Sequence, residues 1–268
     1  MGKKLYFLAG MHRSGNTLLS SILNQHPDIY SSPIGPLCEY MWLVHNSTHE
    51  SAMINIYDYR KKQLISKMHE SYYFDIDKPV VIDRDKNWGH PENLKMLKKY
   101  ISEQPKIIYT VRPIAEVLAS TIVIQKDIIA MELAIDGWKF NNDLSYNDNV
   151  CEYLMNPNHQ LMRTLEGLYS IKNKDNSGIF HVVEYKDMIS APQETMNKIY
   201  EFLSLDKFNN DFNNIKKIEE YDELAGGLVE DMHVIRPTIS KSNIVVDDYV
   251  SQYIKDKYSY IDNLLLEK

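Results

Sequence analysis

The chain has 268 residues, 44% apolar and 25% charged, which is enough for a sizeable core and excludes a disordered or fibrous chain. Its formal net charge of −7 argues against a nucleic-acid partner, which needs a basic surface. Cys38 and Cys151 are the only cysteines, too few for a disulfide framework or a cysteine zinc site.

Lys3 and Lys4 precede a run of only about six apolar residues, too short for the core of a signal peptide. No segment approaches the ~20 apolar residues of a membrane span. The expectation is a soluble, cytoplasmic protein.

Residues 5–9 read as a buried strand. A glycine-bounded turn follows, then a helix with Leu18, Leu19, Ile22 and Leu23 on one face. A strand, a tight loop and a helix N-terminus make an anion cradle, because backbone N–H groups and the helix dipole converge on one spot. The spacing Gly10-x-x-x-x-Gly15-x-Thr17 is that of a Walker A loop, but Asn16 stands where its lysine should be and a cation, Arg13, lies inside the loop. Such a loop suits a phosphate in chemistry other than ATP hydrolysis.

Residues 50–77 have a helical character, and 80–83 and 106–111 are further apolar strands. Pro113 suits the start of a helix, which puts Arg112 at a strand end with Ser120 two turns on. A guanidinium fork and a hydroxyl there suit a second anion. Residues 135–158 are polar and asparagine-rich and read as a loop or lid. Residues 179–183 are a fourth strand. The helix at 192–203 has Pro192 in its first turn, capping-box spacing from Ser190 to Gln193, and a stripe of Met196, Ile199, Tyr200 and Leu203. Strands without clean alternation, separated by helices, predict a central mainly parallel sheet covered on both faces, a three-layer α/β/α arrangement. Ligands of such sheets sit at the carboxyl ends of the strands.

Five segments in order resemble the sulfotransferases that use 3′-phosphoadenosine-5′-phosphosulfate (PAPS). The stretch from His12 to Leu19 resembles their 5′-phosphosulfate loop, and Arg112 with Ser120 resembles their 3′-phosphate motif. Val183-Glu184-Tyr185-Lys186-Asp187-Met188 is similar to the family's "YEDL" stretch. Asp83-Arg84-Asp85-Lys86-Asn87-Trp88 resembles an Asp-Lys-x-Arg-x-Trp element, and His233-Val234-Ile235-Arg236-Pro237 a late His-x-Ile-Arg-Pro segment. The chain departs from the pattern at Asn16, where threonine is commoner, and at Arg84 and Lys86, which exchange the usual lysine and arginine. Tyrosylprotein sulfotransferases carry a catalytic glutamate near the position of Ile34, so peptide-tyrosine sulfation is disfavoured.

The resemblance implies a P-loop-like fold, a single sulfotransferase domain over residues 1–268, and sulfuryl transfer from PAPS to a hydroxyl or amine without a metal, leaving adenosine 3′,5′-bisphosphate (PAP). It implies a cofactor site of Arg13, Ser14, Gly15, Asn16, Thr17, Leu18, Arg112 and Ser120, with Tyr185, Arg236 and Lys241 covering the nucleotide. Arg13 would also act in catalysis. For the base, Asp83 comes first, then Glu39 and His233. The acceptor is expected to be a small molecule, a glycan or a lipid, with Met41, Trp42, Tyr72, Tyr73, Trp88 and Trp138 as candidate pocket walls. Two other readings stay open. One is a P-loop kinase or nucleotide hydrolase with a degenerate Walker A and Asp83 as its metal-binding acid. The other is a non-catalytic nucleotide-binding protein.

Overall fold

The computed structural model describes residues 3–47, 54–216 and 235–266. Five strands, β1 (Lys4–Gly10), β2 (Ile29–Ile34), β3 (Val80–Arg84), β4 (Ile107–Val111) and β5 (Phe180–Glu184), form one parallel sheet in the order β2-β3-β1-β4-β5. The chain starts in the middle of the sheet, at β1. It crosses first to the edge at β2 and returns to β3 beside β1, then builds to the other side through β4 and β5, so the loop after β1 sits where the strand order reverses.

Four strands match the apolar runs, and β2 is an addition. Its sequence, Ile-Tyr-Ser-Ser-Pro-Ile, carries no run to recognise. Its polar groups are taken up by α1 (Asn16–Leu23) and the residue after it. Ser20 Oγ lies 2.7 Å from Ser31 Oγ, and Asn24 bonds both the N–H and the C=O of Ser31. Pro33 is tolerated because β2 is an edge strand, and the ladder to β3 breaks register there.

Alternate residues of each strand face opposite layers. Leu8, Ile82, Ile108 and Val183 pack with Leu19, Ile22 and Leu23 of α1 and with α11 (Pro192–Leu203). Phe7, Val81, Ile107 and Tyr109 pack on the other side with Trp88 and with helices α2 (Leu37–Asn46), α4 (Pro91–Tyr100) and α5 (Ile114–Ile124). Phe7 and Trp88 rings meet at 4.7 Å. β3 and β4 are buried on both faces, as the runs without alternation require.

α3 (Ile54–Tyr72) fills most of the stretch with helical character. Helix α11 has the expected bounds and stripe, but not the capping box. Its N-cap is Ala191, without a side-chain bond, and Ser190 belongs to the preceding helix, α10 (Tyr185–Ser190). Gln193 instead ties down the following loop: it donates to Phe208 O at 2.8 Å and accepts from Asn210 N at 3.0 Å. The region 135–158 is also not all loop. After α6 (Lys126–Ile135), helix α7 (Tyr146–Leu154) is capped by Ser145 and buries Val150, Cys151 and Leu154. Two short helices, α8 (Gln160–Leu165) and α9 (Gly167–Lys172), lead to β5, and α12 (Gln252–Leu266) follows late in the chain. Asp262 of α12 accepts from Ile114 N at 2.8 Å, a cap for α5 supplied from 148 residues away. Among the described residues, no helix is long and apolar enough to cross a membrane.

Candidate active site

The carboxyl ends of β1, β3 and β4 open into a cleft of about 850 Å³. Gly10 leaves β1 at φ +150°, where a Cβ would lie 2.2 Å from Thr110 Oγ1 and 2.6 Å from Thr110 O. Only a glycine lets the loop pass this close to β4. Arg13 (φ 54°) and Gly15 (φ 93°) then turn the chain through left-handed conformations into α1.

Inside the loop, several side chains brace the backbone. Ser14 is fully buried and donates to Met11 O at 2.6 Å. Asn16 donates to Met11 O at 3.1 Å, and Thr110 donates to Asn16 Oδ1 at 2.8 Å. The side chains of Ser14 and Asn16 are therefore bonded within the loop, and Asn16 also lines the cleft. The stretch also offers a ligand its backbone. Gly15 is the N-cap of α1 and has no side chain to satisfy the N–H groups of the first turn.

Arg13 lines the cleft, and its Nε donates to Ser120 Oγ at 3.3 Å. Arg112 donates to Arg13 O at 3.0 Å and pairs with Glu116 at 2.9 Å, while its guanidinium lies 4.3 Å from the centre of the Tyr185 ring. Tyr185 opens α10 straight after β5 and lines the same wall. The expected cluster of Arg13, Arg112, Ser120 and Tyr185 is thus gathered from three strand ends. Burial lowers the pKa of Arg13, and Arg112 beside it adds to this. Two cations crowded at the N-termini of α1 and α5 make a cradle suited to a multiply charged anion.

A second basic group comes from the end of β3. Arg84 Nη1 donates to Thr17 Oγ1 at 2.7 Å, and its backbone N–H donates to Ser32 Oγ. Lys86 Nζ lies 3.0 Å from His12 Nε2 and donates to Gln160 Oε1 at 2.9 Å. Burial, then the nearby Lys86 charge, holds His12 well below the usual histidine range, so His12 is neutral and accepts from Lys86. Burial also lowers the pKa of Lys86. The sequence places His12, Arg84 and Lys86 inside motifs without marking a role for any of them, and nothing in it marks Gln160. The cue for the first three was their place at strand ends.

The candidate bases fare differently. Asp83 is fully buried and turned away from the cleft. It accepts from Trp88 Nε1 at 2.6 Å and from the Tyr73 hydroxyl. Strand alternation explains this. Arg84 faces the α1 layer with Ile82, so Asp83 faces the opposite layer with Val81. Burial pushes its pKa up to about 7 against the two hydrogen bonds that favour the charge. Asp83 is thereby removed from contact with an acceptor and from the metal-binding role of the kinase reading. Glu39 is exposed on the first turn of α2 and does not line the cleft. His233 lies outside the described residues.

Leu18, Ile34 and Arg236 line the cleft; Arg236 bonds Ser240 at 2.9 Å. Lys241 is exposed on the same segment and is not part of the lining. The aromatic candidates do not form an acceptor pocket. Met41, Tyr73 and Trp88 are core, Trp138 packs on Tyr153, and Trp42 and Tyr72 lie away from the cleft. The cleft wall beyond Ser120 is aliphatic instead, with Val123, Ile124, Ile128 and Ile244. Among the described residues, no group of three or more His, Cys, Asp or Glu side chains is gathered as a metal site.

The fold is similar to that of solved sulfotransferases. The sulfotransferase domain from the curacin biosynthetic pathway matches at 15% identity and a TM-score of 0.57, over 97% of this chain and 98% of that one. Mouse sulfotransferase SULT7A1, complexed with PAP, matches at 15% identity and a TM-score of 0.55, over 99% and 86%. Retinol dehydratase in complex with androsterone and the inactive cofactor PAP matches at 12% identity and a TM-score of 0.50, over 100% and 82%. No curated protein matches the chain by sequence. The sequence model of the sulfotransferase domain spans residues 3–258, from the first strand through the basic cleft to the last helix. The chain therefore belongs to the sulfotransferase domain family.

Proposed function

We propose that this chain, as a single domain over residues 1–268, transfers a sulfuryl group from PAPS to a hydroxyl or amine of a small-molecule acceptor. One observation carries the reading: the half-buried Arg13, bonded to Ser120, and the buried Arg112, bonded to Arg13 O, come together at the N-termini of α1 and α5. Such a pair suits a ligand with two separate phosphate groups. PAP in the mouse enzyme and in retinol dehydratase, which share this fold, supports the choice of ligand. Bound PAPS would supply the sulfuryl group and a phosphate as leaving group.

In this reading Arg13 and the first-turn N–H groups of α1 hold the 5′-phosphate and stabilise the charge that grows on it. Arg112 and Ser120 hold the 3′-phosphate, a group that ATP lacks. Tyr185 buttresses Arg112, Leu18 packs beside the loop, and Arg236 closes over the nucleotide. Thr17 is held in place by Arg84. With Asp83 and Glu39 away from the cleft, Lys86, which lines it between neutral His12 and Gln160 and whose pKa burial lowers, is the base once it has lost its proton. A cleft of this size suits a small molecule, the end of a glycan or the head of a lipid.

Comparing PAP with 5′-AMP tests the assignment of the 3′-phosphate. The native protein should bind PAP about a hundredfold more tightly, the equivalent of two charge-assisted hydrogen bonds. Arg112→Ala should reduce that ratio to within about threefold. Equal affinity of the native protein for the two nucleotides would remove Arg112 and Ser120 from the site.

A further inference from the structure

We propose that the outer face of α2 and α3 seats the protein on an anionic lipid surface. This inference is independent of the nucleotide reading. The two helices lie side by side and leave a groove of about 870 Å³ between them, floored by Leu37, Met68 and Tyr72. Three large apolar side chains of its lining stand out, Tyr40 (47% exposed), Tyr59 (63%) and Leu64 (56%), and Leu43 (56%) is exposed one turn along α2 from Tyr40. A monomer rarely leaves such a set on one face without a use.

Charge decides what covers it. Residues 58–70 contain Arg60, Lys61, Lys62 and Lys67 against Asp58 and Glu70, a local positive excess on a chain of net charge −7. Arg60 and Lys67 stand on the groove rim. Arg60 Nε donates to Tyr59 Oη at 2.8 Å, which aligns an aromatic ring and a cation at one level. Lys67 pairs with Glu70 at 2.6 Å, but both side chains are about half exposed, and a pair of that kind is weak enough to exchange for a phosphate. Tyrosine and leucine flanked by Lys and Arg are the composition of a helix lying in the membrane interface, where the rings sit at headgroup level and the cations meet anionic lipid. Gly35, the residue before α2's N-cap, packs so closely on the Tyr72 hydroxyl that a Cβ would lie 3.0 Å from it, which fixes the start of α2 against the end of α3.

Flotation of the full chain with vesicles tests this. Vesicles of phosphatidylcholine with phosphatidylserine should bind the protein at least about tenfold more strongly than phosphatidylcholine alone, and added salt should release it. Leu43→Glu and Leu64→Glu replace exposed side chains, so each should keep native circular dichroism and PAP affinity while losing about tenfold in vesicle binding. Arg60→Glu with Lys67→Glu should abolish the preference for phosphatidylserine. Equal binding to both vesicles, unchanged binding by the leucine variants, or self-association of the chain without vesicle binding would each overturn the proposal.

Discussion

Arg13→Ala should lower the affinity for PAP by about a hundredfold, ~3 kcal/mol, and leave the unfolding midpoint nearly unchanged. The size follows from losing charge-assisted hydrogen bonds to an anion held out of water. Stability is spared because burial and the Arg112 charge both work against the protonated form of Arg13, and its bond to Ser120 is long at 3.3 Å. Alanine would relieve that crowding. Titration calorimetry and thermal unfolding on the same preparation separate the two effects. A fall in midpoint that matches the loss of affinity would make Arg13 a structural residue.

The second large effect is on stability. Asp83 has no part in the cleft chemistry proposed above, yet it is fully buried with its pKa pushed up to about 7. A carboxyl whose folded-state pKa lies above its unfolded value stabilises the fold fully below the ordinary carboxylate range. That contribution is lost as pH rises through about 7. The difference between the two states, integrated over this window, amounts to up to about 4 kcal/mol. Urea unfolding should therefore show the native protein losing stability between about pH 4 and pH 8 relative to Asp83→Asn. Asparagine can still accept from Trp88 and meet the Tyr73 hydroxyl, but does not titrate. Parallel pH profiles for the two proteins would show that Asp83 is not the group responsible. Because Arg84 is the next residue and Lys86 the third after Asp83, the bracket Asp83 forms with Tyr73 and Trp88 also fixes where the two cations enter the cleft.

Much of this was legible in the sequence, for physical reasons that differ from place to place. The loop from Gly10 to Thr17 was readable because its spacing is set by the backbone path into α1, and Arg112 because Pro113 marks a helix start beside a strand end. Helix α11 was readable because one buried stripe faces one layer. Strand β2 was hidden because its polar groups are satisfied by Ser20 and Asn24, and sequence patterns record apolarity, not pairing. Helix α7 was hidden by its asparagines, one of which, Asn149, bonds the backbone of the preceding turn at Asn141, Leu144 and Ser145. The side taken by Asp83 could not be read at all. A strand buried on both faces has no alternation, so nothing in Val-Val-Ile-Asp-Arg tells which residue turns toward the cleft. The capping box failed for a related reason: Ser190 already ended one helix and could not begin the next.

Calorimetric binding of PAP against ATP, without added metal and then with magnesium, tests the central claim most directly. The account predicts binding of PAP that needs no metal and that is at least about a hundredfold tighter than binding of ATP in either condition. Preference for magnesium-bound ATP would contradict it and return the loop to nucleotide hydrolysis or phosphoryl transfer.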